Sequence, residues 1–531
     1  MKRRPELVLL LFVGLGGLFI YWQDPLYRLG RNIEIYGRVL QELAQNYVDM
    51  PDLDKLTTKA IEAMLAELDP YTNFYSAMDV TQAQLEQSGQ YAGVGLVIQS
   101  LEGKVLCRRI LPGSPAEKAG IEPGDLLLEV DRQPVANLSL EQIQKLLRGM
   151  PKTTVSVKVL HPTTRRVQEI TLTRAEIESE AVPYSTILSG QIGYIALTQF
   201  TRGCAEAVRQ HLIQLKTQAP LKGLILDLRG NPGGLMNEAL EILNLFLPKG
   251  ELLLETRGRM PEANHKYYAQ AHPFEPNLPL VILIDEHSAS ASEIVAGTLQ
   301  DLDRAVIIGK RSFGKGLVQV VRPLVENTQM KITVSRYYTA AGRCIQLAPQ
   351  GPQSERIFRT RNGRPIREGS GITPDIEAES YLPTAQREQL EPYFFYFLAQ
   401  HRDQIPRDSV SLTMELPSPT QVRALLDSLA AYPKAFRAEP EALLAELQSQ
   451  TANIPDLQAK LKEAEAALRA HRMAELRRFE EPLRVLVGQL RAYHGMGIRG
   501  EYNFIVARDP VVQQARQLLT DVARYEKILR P

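Results

Sequence analysis

Between about residues 184 and 375 the chain alternates short unbroken apolar runs with amphipathic stretches of helical period. Leu224-Ile225-Leu226-Asp227-Leu228 has the length and β-branched content of a buried strand, and Arg229 to Gly234 then makes a tight turn. Leu235 to Leu247 follows as a helix with Leu240, Leu243 and Leu247 on one stripe. The pattern repeats. Leu280 to Ile284 is a second buried strand, Ile294 to Leu302 has helical period, and Leu317 to Val321 is a further strand. Strands alternating with helices predict an α/β layer.

The flanks differ. Residues 91 to about 175 are dense in short strands and Gly/Pro turns, and Ser139 with Gln142 makes a capping box for a helix running to Leu147. Before them, Ile33 to Tyr47 and Leu56 to Leu68 read as helices. Gln346 to Gly369 is polar and rich in Arg, Gly and Pro, and is expected as a surface loop. Residues 380 to 531 are mostly charged helix, including Leu443 to Arg478 and a last helix capped by Asp509 and ending near Leu529. At the start, Lys2-Arg3-Arg4 precedes an uncharged apolar segment, Leu7 to Trp22, with no Ala-x-Ala-type cleavage site after it. An uncleaved membrane anchor is the first reading of that segment and a cleaved signal the second; both export the rest of the chain.

The chemistry concentrates at two turns of the α/β layer. Ser288-Ala289-Ser290-Ala291-Ser292-Glu293 lies where a strand gives way to a helix, a place that exposes a side chain and leaves backbone N–H groups open. Lys315 follows 25 residues after Ser290, and strand alternation places Lys315, Leu317 and Gln319 on one face. A hydroxyl nucleophile needs a neighbouring base, and a lysine with a polar neighbour to orient it can supply one. The paired glycines after Asn231-Pro232 form a second helix-start nest suited to an oxyanion. Plainer readings exist for each segment. Ser290-x-x-Glu293 is also a capping box, and the glycine turn is also an ordinary strand-to-helix connection. Gly309 to Lys315 nearly matches a nucleotide-binding loop but has Gly316 where magnesium would need Ser or Thr, and it opens a strand. His287 is a rival base with no Asp placed by any motif to orient it.

Composition narrows the classes. A chain of 531 residues, 44% hydrophobic, needs several cores, and a net charge of +1 gives no general attraction to nucleic acid. Cys107, Cys204 and Cys344 have neither disulfide-framework nor metal-ligand spacing, no metal site is read, and nothing asks for a cofactor.

Taken together, Leu226 to Gly234, Ser288 to Ile294, Gly309, Phe313 to Gln319 and Gly371-Ile372-Thr373-Pro374-Asp375 resemble the carboxyl-terminal processing peptidases, serine peptidases with a Ser–Lys dyad. The likeness covers roughly residues 30 to 378. It implies Ser290 as nucleophile, Lys315 as general base, Gln319 as the residue orienting the lysine, and Gly233 with Ala291 as oxyanion donors, Gly234 being able to replace Gly233. Residues 91 to 175 resemble a PDZ domain, whose carboxylate-binding loop would be Gly93, Val94, Gly95 and Leu96. Leu68-Asp69-Pro70-Tyr71-Thr72 resembles the family's amino-terminal helical region, and nothing catalytic is expected of it.

The expected organisation is a membrane anchor or signal (1–26), an N-terminal helical region (27–85), an inserted β-rich PDZ domain (86–178), a mixed-sheet α/β peptidase core (179–378) and a C-terminal helical domain (379–531). The expected partners are proteins or peptides with free C-termini, the membrane through the N-terminal segment, and a second copy or regulatory partner at the C-terminal domain. The expected location is the bacterial cell envelope, anchored in the inner membrane with the catalytic region outside the cytoplasm. The alternative is a catalytically silent PDZ scaffold or binding protein on the same fold.

Overall fold

A computed structural model describes residues 25–76, 90–178, 180–346, 356–369, 371–382, 384–406, 415–429 and 439–530. The Leu7 to Trp22 segment lies outside them. Among the described residues no helix is long and apolar enough to cross a membrane. The chain divides into two compact units, the first made of the described residues before 78 with Gln319–Thr333, the second of the remainder.

In the first unit, α1 (Pro25–Asn46) and α2 (Leu53–Ala66) precede β1 (Asn73–Tyr75). Both helices start earlier than their apolar stripes suggest. Proline suits a first helical turn, and the Asp52 side chain accepts from the N–H of Lys55 at 3.0 Å to cap α2. Strand β1 pairs antiparallel with Gln329–Lys331, with Asn73 opposite Lys331.

The second unit begins with a β-rich module. Strands β2 (Gln90–Gly93), β3 (Leu96–Leu101), β4 (Lys104–Ile110) and β5 (Leu126–Val130) precede α3 (Leu140–Leu147). Strands β6 (Thr154–Leu160), β7 (Val167–Thr173) and β8 (Ala175–Glu178) complete it. The order β3-β4-β5-β6-β7 is antiparallel throughout, and β2 pairs with β8. In β6 the alternation drives Val155, Val157 and Val159 inward, onto Ile143 and Leu147 of α3. The Ser139–Gln142 capping box is made in both directions, at 3.2 and 2.8 Å.

The core follows: β9 (Tyr184–Leu188), β10 (Ile192–Ala196), α4 (Cys204–Gln218), β11 (Gly223–Asp227) and α5 (Met236–Asn244). Then come β12 (Leu252–Gly258), β13 (His265–Tyr268), β14 (Leu280–Ile284), α6 (Ala291–Asp301), β15 (Val306–Gly309), β16 (Leu317–Pro323), β17 (Gln329–Thr339) and β18 (Ile376–Glu377). A six-stranded sheet runs β9-β10-β11-β14-β15-β18, antiparallel between β9 and β10 and parallel elsewhere. Strands β11 and β14 are buried along their whole length, the condition their unbroken apolar runs require. Helices α4, α5 and α6 cover one face.

The C-terminal region supplies α7 (Thr384–Gln400), α8 (Pro419–Ser428), α9 (Glu439–Gln450), α10 (Pro455–Arg477), α11 (Glu480–Val506), α12 (Pro510–Thr520) and α13 (Val522–Leu529). Two stretches expected as single helices are each divided. Pro455 starts a new helix after Thr451–Ile454, and Asp521 ends α12 and caps α13 through the N–H of Arg524 at 3.1 Å. Helices α12 and α13 do not stand apart from the core: Val511, Val512, Ala515, Leu518, Leu519, Tyr525 and Leu529 pack on Ile192, Tyr194, Ile225, Val281, Leu283, Val306 and Ile308. They form the second cover of the sheet. Helices α7 and α11 pack on the β-rich module, where Arg108 pairs with Glu391 and lies over the ring of Phe395 at 4.1 Å.

One expectation is corrected. Part of the polar stretch from Gln346 to Gly369 is a two-stranded hairpin, Ile357–Arg359 with Pro365–Arg367, while 347–355 lie outside the described residues. Its turn is anchored because Arg364 is buried between Asp303 and Asp375, each at 2.6 Å.

Candidate active site

Three serines crowd the turn after β14, and their surroundings separate them. Ser288 is fully buried; its Oγ accepts from the N–H of Asp285 at 3.0 Å and donates to the carbonyl of Leu228 at 2.8 Å. Ser292 is also fully buried and donates to the carbonyl of Asn231 at 2.9 Å. Ser290 alone is half-exposed. Its backbone, at φ 55° and ψ −112°, is one that a residue with a side chain rarely adopts. Such strain persists only where the surroundings impose it. Here the N–H of Ala289 bonds to the carbonyl of Asn231 at 3.0 Å, and the N–H groups of Glu293 and Ile294 to the carbonyl of Ser290 at 2.9 and 3.0 Å. The result is a sharp elbow that holds Ser290 at the start of α6.

Glu293 ties this elbow to the lysine loop. It is fully buried and collects four donors. Ser312 Oγ and the N–H of Gly314 reach Oε1 at 2.6 and 2.7 Å, and the N–H groups of Ser290 and Lys315 reach Oε2 at 2.8 Å each. Ser290 and Lys315 are therefore anchored, through their backbones, to one carboxylate oxygen. Tyr337 adds a second tie, its hydroxyl lying within hydrogen-bond reach of the carbonyls of both Ser290 (3.1 Å) and Lys315 and sharing its one hydrogen between them. Burial pushes the Glu293 carboxyl up to about 7, against the pull of the hydrogen bonds it accepts. The Lys315 side chain is half-buried. Phe313, two residues before it, is 57% exposed, so it does not wall off that lysine.

The glycine turn closes the site from the other side. Asn231 is fully buried, donating from Nδ2 to the carbonyl of Leu197 at 2.8 Å and accepting at Oδ1 from the N–H of Gly233 at 2.9 Å. Gly233 has φ 98°, and a Cβ there would meet Ala289 O at 2.6 Å, Ser290 Cβ at 2.8 Å and Ala291 N at 2.9 Å. Only glycine lets the two turns touch. Of the expected oxyanion donors, the N–H of Gly233 is thus engaged by Asn231, whereas among the described residues those of Gly234 and Ala291 have no acceptor. His287 is exposed, with its Nε2 3.8 Å from the Glu388 carboxylate. Gln319 lies in the first unit, its Nε2 donating to Thr333 Oγ1 at 3.2 Å.

In the β-rich module, Gly93 to Leu96 are buried. The carbonyls of Val94 and Gly95 accept from Ala116 and Leu111 at 2.9 Å each, and among the described residues the N–H groups of Val94 and Gly95 have no acceptor.

Residues 191–378 match the model of peptidase family S41, and residues 108–160 match a PDZ domain. The carboxy-terminal-processing protease of Bartonella bacilliformis is 33% identical over 66% of this chain and 75% of its own. The chain belongs to the carboxyl-terminal processing peptidases. The carboxyl-terminal-processing protease of a Synechocystis strain is 36% identical over 56% of this chain and 70% of its own. The solved structure of a photosystem II D1 C-terminal processing protease is 28% identical, covering 64% of this chain and 92% of that one with a TM-score of 0.39. This family member is accordingly a serine peptidase of α/β fold with a PDZ domain.

Sequence reasoning saw Glu293 only as half of a capping box and passed over Asn231 and Tyr337. The spacing of Glu293 after Ser290 was a signal for its local bond. Nothing local announces the donors from Ser312, Gly314 and Lys315.

Glu293→Gln tests the carboxylate. An amide has one acceptor oxygen, so whichever way it turns two of the four donors face an NH₂ group. At about 1–3 kcal/mol for each unsatisfied buried group, the expected loss is roughly 2–6 kcal/mol of stability, with a fall in kcat of about 100-fold or more. The pH dependence has a definite sign. With its pKa raised from 4.5 to about 7 on folding, Glu293 stabilises the fold fully below about 4.5 and less as pH rises to about 7. In denaturant titrations, the stability gap between wild type and Glu293→Gln should narrow over that window and stay constant above it.

Proposed function

We propose that this peptidase is anchored in a bacterial envelope, captures protein C-terminal tails through its PDZ domain, and hydrolyses peptide bonds upstream with Ser290 and Lys315. The observation that carries the catalytic part is the single Glu293 carboxylate oxygen shared by the N–H groups of Ser290 and Lys315. Lys315, in its neutral form, takes the proton of Ser290 Oγ as that oxygen attacks the scissile carbonyl. The N–H groups of Ala291 and Gly234 receive the oxyanion, Gly234 replacing Gly233 because the latter already serves Asn231. Lys315 then protonates the leaving amine, and water resolves the acyl-enzyme by the same steps in reverse. Gln319 orients the lysine.

Ser290→Ala and Lys315→Ala should each abolish peptide hydrolysis with the fold intact, and the double variant should be scarcely worse than either. Lys315→Arg should be equally inactive, because a guanidinium keeps its proton. Ser288→Ala and Ser292→Ala should keep turnover but lose about 1–3 kcal/mol of stability, since each strips a buried hydrogen bond. Hydrolysis persisting in Lys315→Ala would return the base role to His287.

For the tail, the inward carbonyls and open N–H groups of Val94 and Gly95 support a carboxylate nest. Charge-assisted bonds of about 1.5–3 kcal/mol each mean that amidating a substrate's C-terminus should weaken capture by about tenfold or more, while blocking its amino terminus changes nothing. Equal cleavage of acid and amide substrates would leave a general endopeptidase without tail recognition.

Location rests on the basic start and the apolar Leu7–Trp22 segment. The full-length protein should sediment with membranes and expose its catalytic region to added protease only from the extracytoplasmic side. A chain starting at Arg31 should be soluble and active. Protection of the catalytic region in cells with a permeabilised outer layer would reject this topology.

A further inference from the structure

The N–H groups left open for an oxyanion, those of Gly234 and Ala291, sit on two different turns, and one residue is bonded to both turns. Asn231 is fully buried. Its carbonyl accepts from the N–H of Ala289 at 3.0 Å and from Ser292 Oγ at 2.9 Å, so it grips the elbow on either side of Ser290. Its side chain holds the glycine turn. There Oδ1 accepts from the N–H of Gly233 at 2.9 Å, while Nδ2 donates to the carbonyl of Leu197 at 2.8 Å. Leu197 directly follows β10, so the carboxamide is braced against the end of a sheet strand.

The direction of these bonds is fixed by their chemistry. An amide nitrogen only donates and an amide oxygen only accepts, so the carboxamide cannot be reversed between a carbonyl and an N–H. Gly233 is pinned at its other end too, where its carbonyl accepts from the N–H of Phe200 at 3.0 Å. In a planar trans peptide the C=O and the following N–H point in opposite directions. With the Gly233 carbonyl on Phe200, the N–H of Gly234 is aimed away from Phe200. The α-carbon between these two restraints rests on the elbow, where a Cβ would meet Ser290 Cβ at 2.8 Å and Ala291 N at 2.9 Å. Without the carboxamide, Gly233 keeps only its carbonyl bond, and glycine's backbone freedom lets the peptide turn about it.

We infer that Asn231 is a positioning residue for the oxyanion. It occupies the N–H of Gly233, aims that of Gly234, and fastens the glycine turn to the elbow that carries the N–H of Ala291. This rests on the reading of Ser290 as nucleophile and of those two donors given above. Donors held in advance act where charge develops, so their loss is felt in kcat rather than in KM.

The test compares the full chain with its Ser290→Ala, Asn231→Ala and Asn231→Asp variants, thermal melts confirming that each is folded. Two inhibitors are made from the acyl half of the assay peptide, its aldehyde and its alcohol. Ser290 Oγ adds to the aldehyde carbon, its proton passes to Lys315, and the former carbonyl oxygen becomes the oxyanion; the alcohol only binds. Asn231→Ala should lower kcat by about tenfold or more with KM within about twofold, and weaken the aldehyde by a similar factor while leaving the alcohol unchanged. Asn231→Asp still accepts from Gly233 but donates to Leu197 only when protonated. Its kcat and aldehyde affinity, each relative to wild type, should therefore rise together as pH falls. If the aldehyde binds Ser290→Ala as tightly as wild type, the reading of the nucleophile fails and this inference with it. If Ser290→Ala loses the aldehyde but Asn231→Ala keeps both kcat and aldehyde affinity, or loses aldehyde and alcohol equally, the inference alone is overturned. Should Asn231→Ala not fold, Asn231→Asp decides the matter, and a ratio to wild type that stays flat with pH overturns the inference.

Discussion

The site depends on one buried carboxylate. Glu293 satisfies donors from the serine elbow and from the lysine loop at once, at 2.6 to 2.8 Å, in a place where an unpaired charge would be intolerable. Burial alone would expel the charge, and the four donors are what retain it. The strained backbone of Ser290 is held by the same carboxylate and by the first turn of α6, so the elbow and the lysine loop are fastened to one group. Nucleophile and base are therefore organised together.

A second constraint ties the glycine turn to the far end of the chain. Arg229 clasps Asp227 through two nitrogens, at 2.9 and 2.6 Å, and reaches Asp509 at 2.6 Å, where Asp509 also accepts from the N–H of Val511 to begin α12. Tyr194 donates to Asp227 at 2.7 Å from the neighbouring strand. The last helices thus cover the apolar second face of the sheet and fix the strand end from which Asn231 and the glycines depart. Charge and apolar burial act on the same contact: α12 excludes water from the sheet while its capping residue neutralises the arginine.

Much of the core was legible because its signals are local. Fully buried parallel strands write themselves as unbroken apolar runs, and Leu224–Leu228 and Leu280–Ile284 became β11 and β14 within a residue. Elbows and capping boxes also carry short-range marks, which is why Ser290 and Ser139 could be singled out. Helix breaks were harder. Pro455 and Asp521 interrupt patterns whose stripe continues across them, and an apolar stripe is blind to a change of axis. The fate of Arg364 was illegible, since its two carboxylate partners, Asp303 and Asp375, lie on other segments.

The sequence by itself determined the strand and helix alternation, the turn that exposes Ser290, the loop that carries Lys315 and the family to which they belong. All of these depend on spacing, backbone preference and side-chain type within a few residues of one another. Only the tertiary structure decided which of three serines is open, that the N–H of Gly233 is already occupied by Asn231, that Glu293 gathers donors from residues up to 22 positions away, and that residues 510 to 529 complete the core. Each of those outcomes is a matter of which donor meets which acceptor, or which apolar face meets which, across long loops. Periodicity says that a face must be covered or a carboxylate paired; the folded chain supplies the partner.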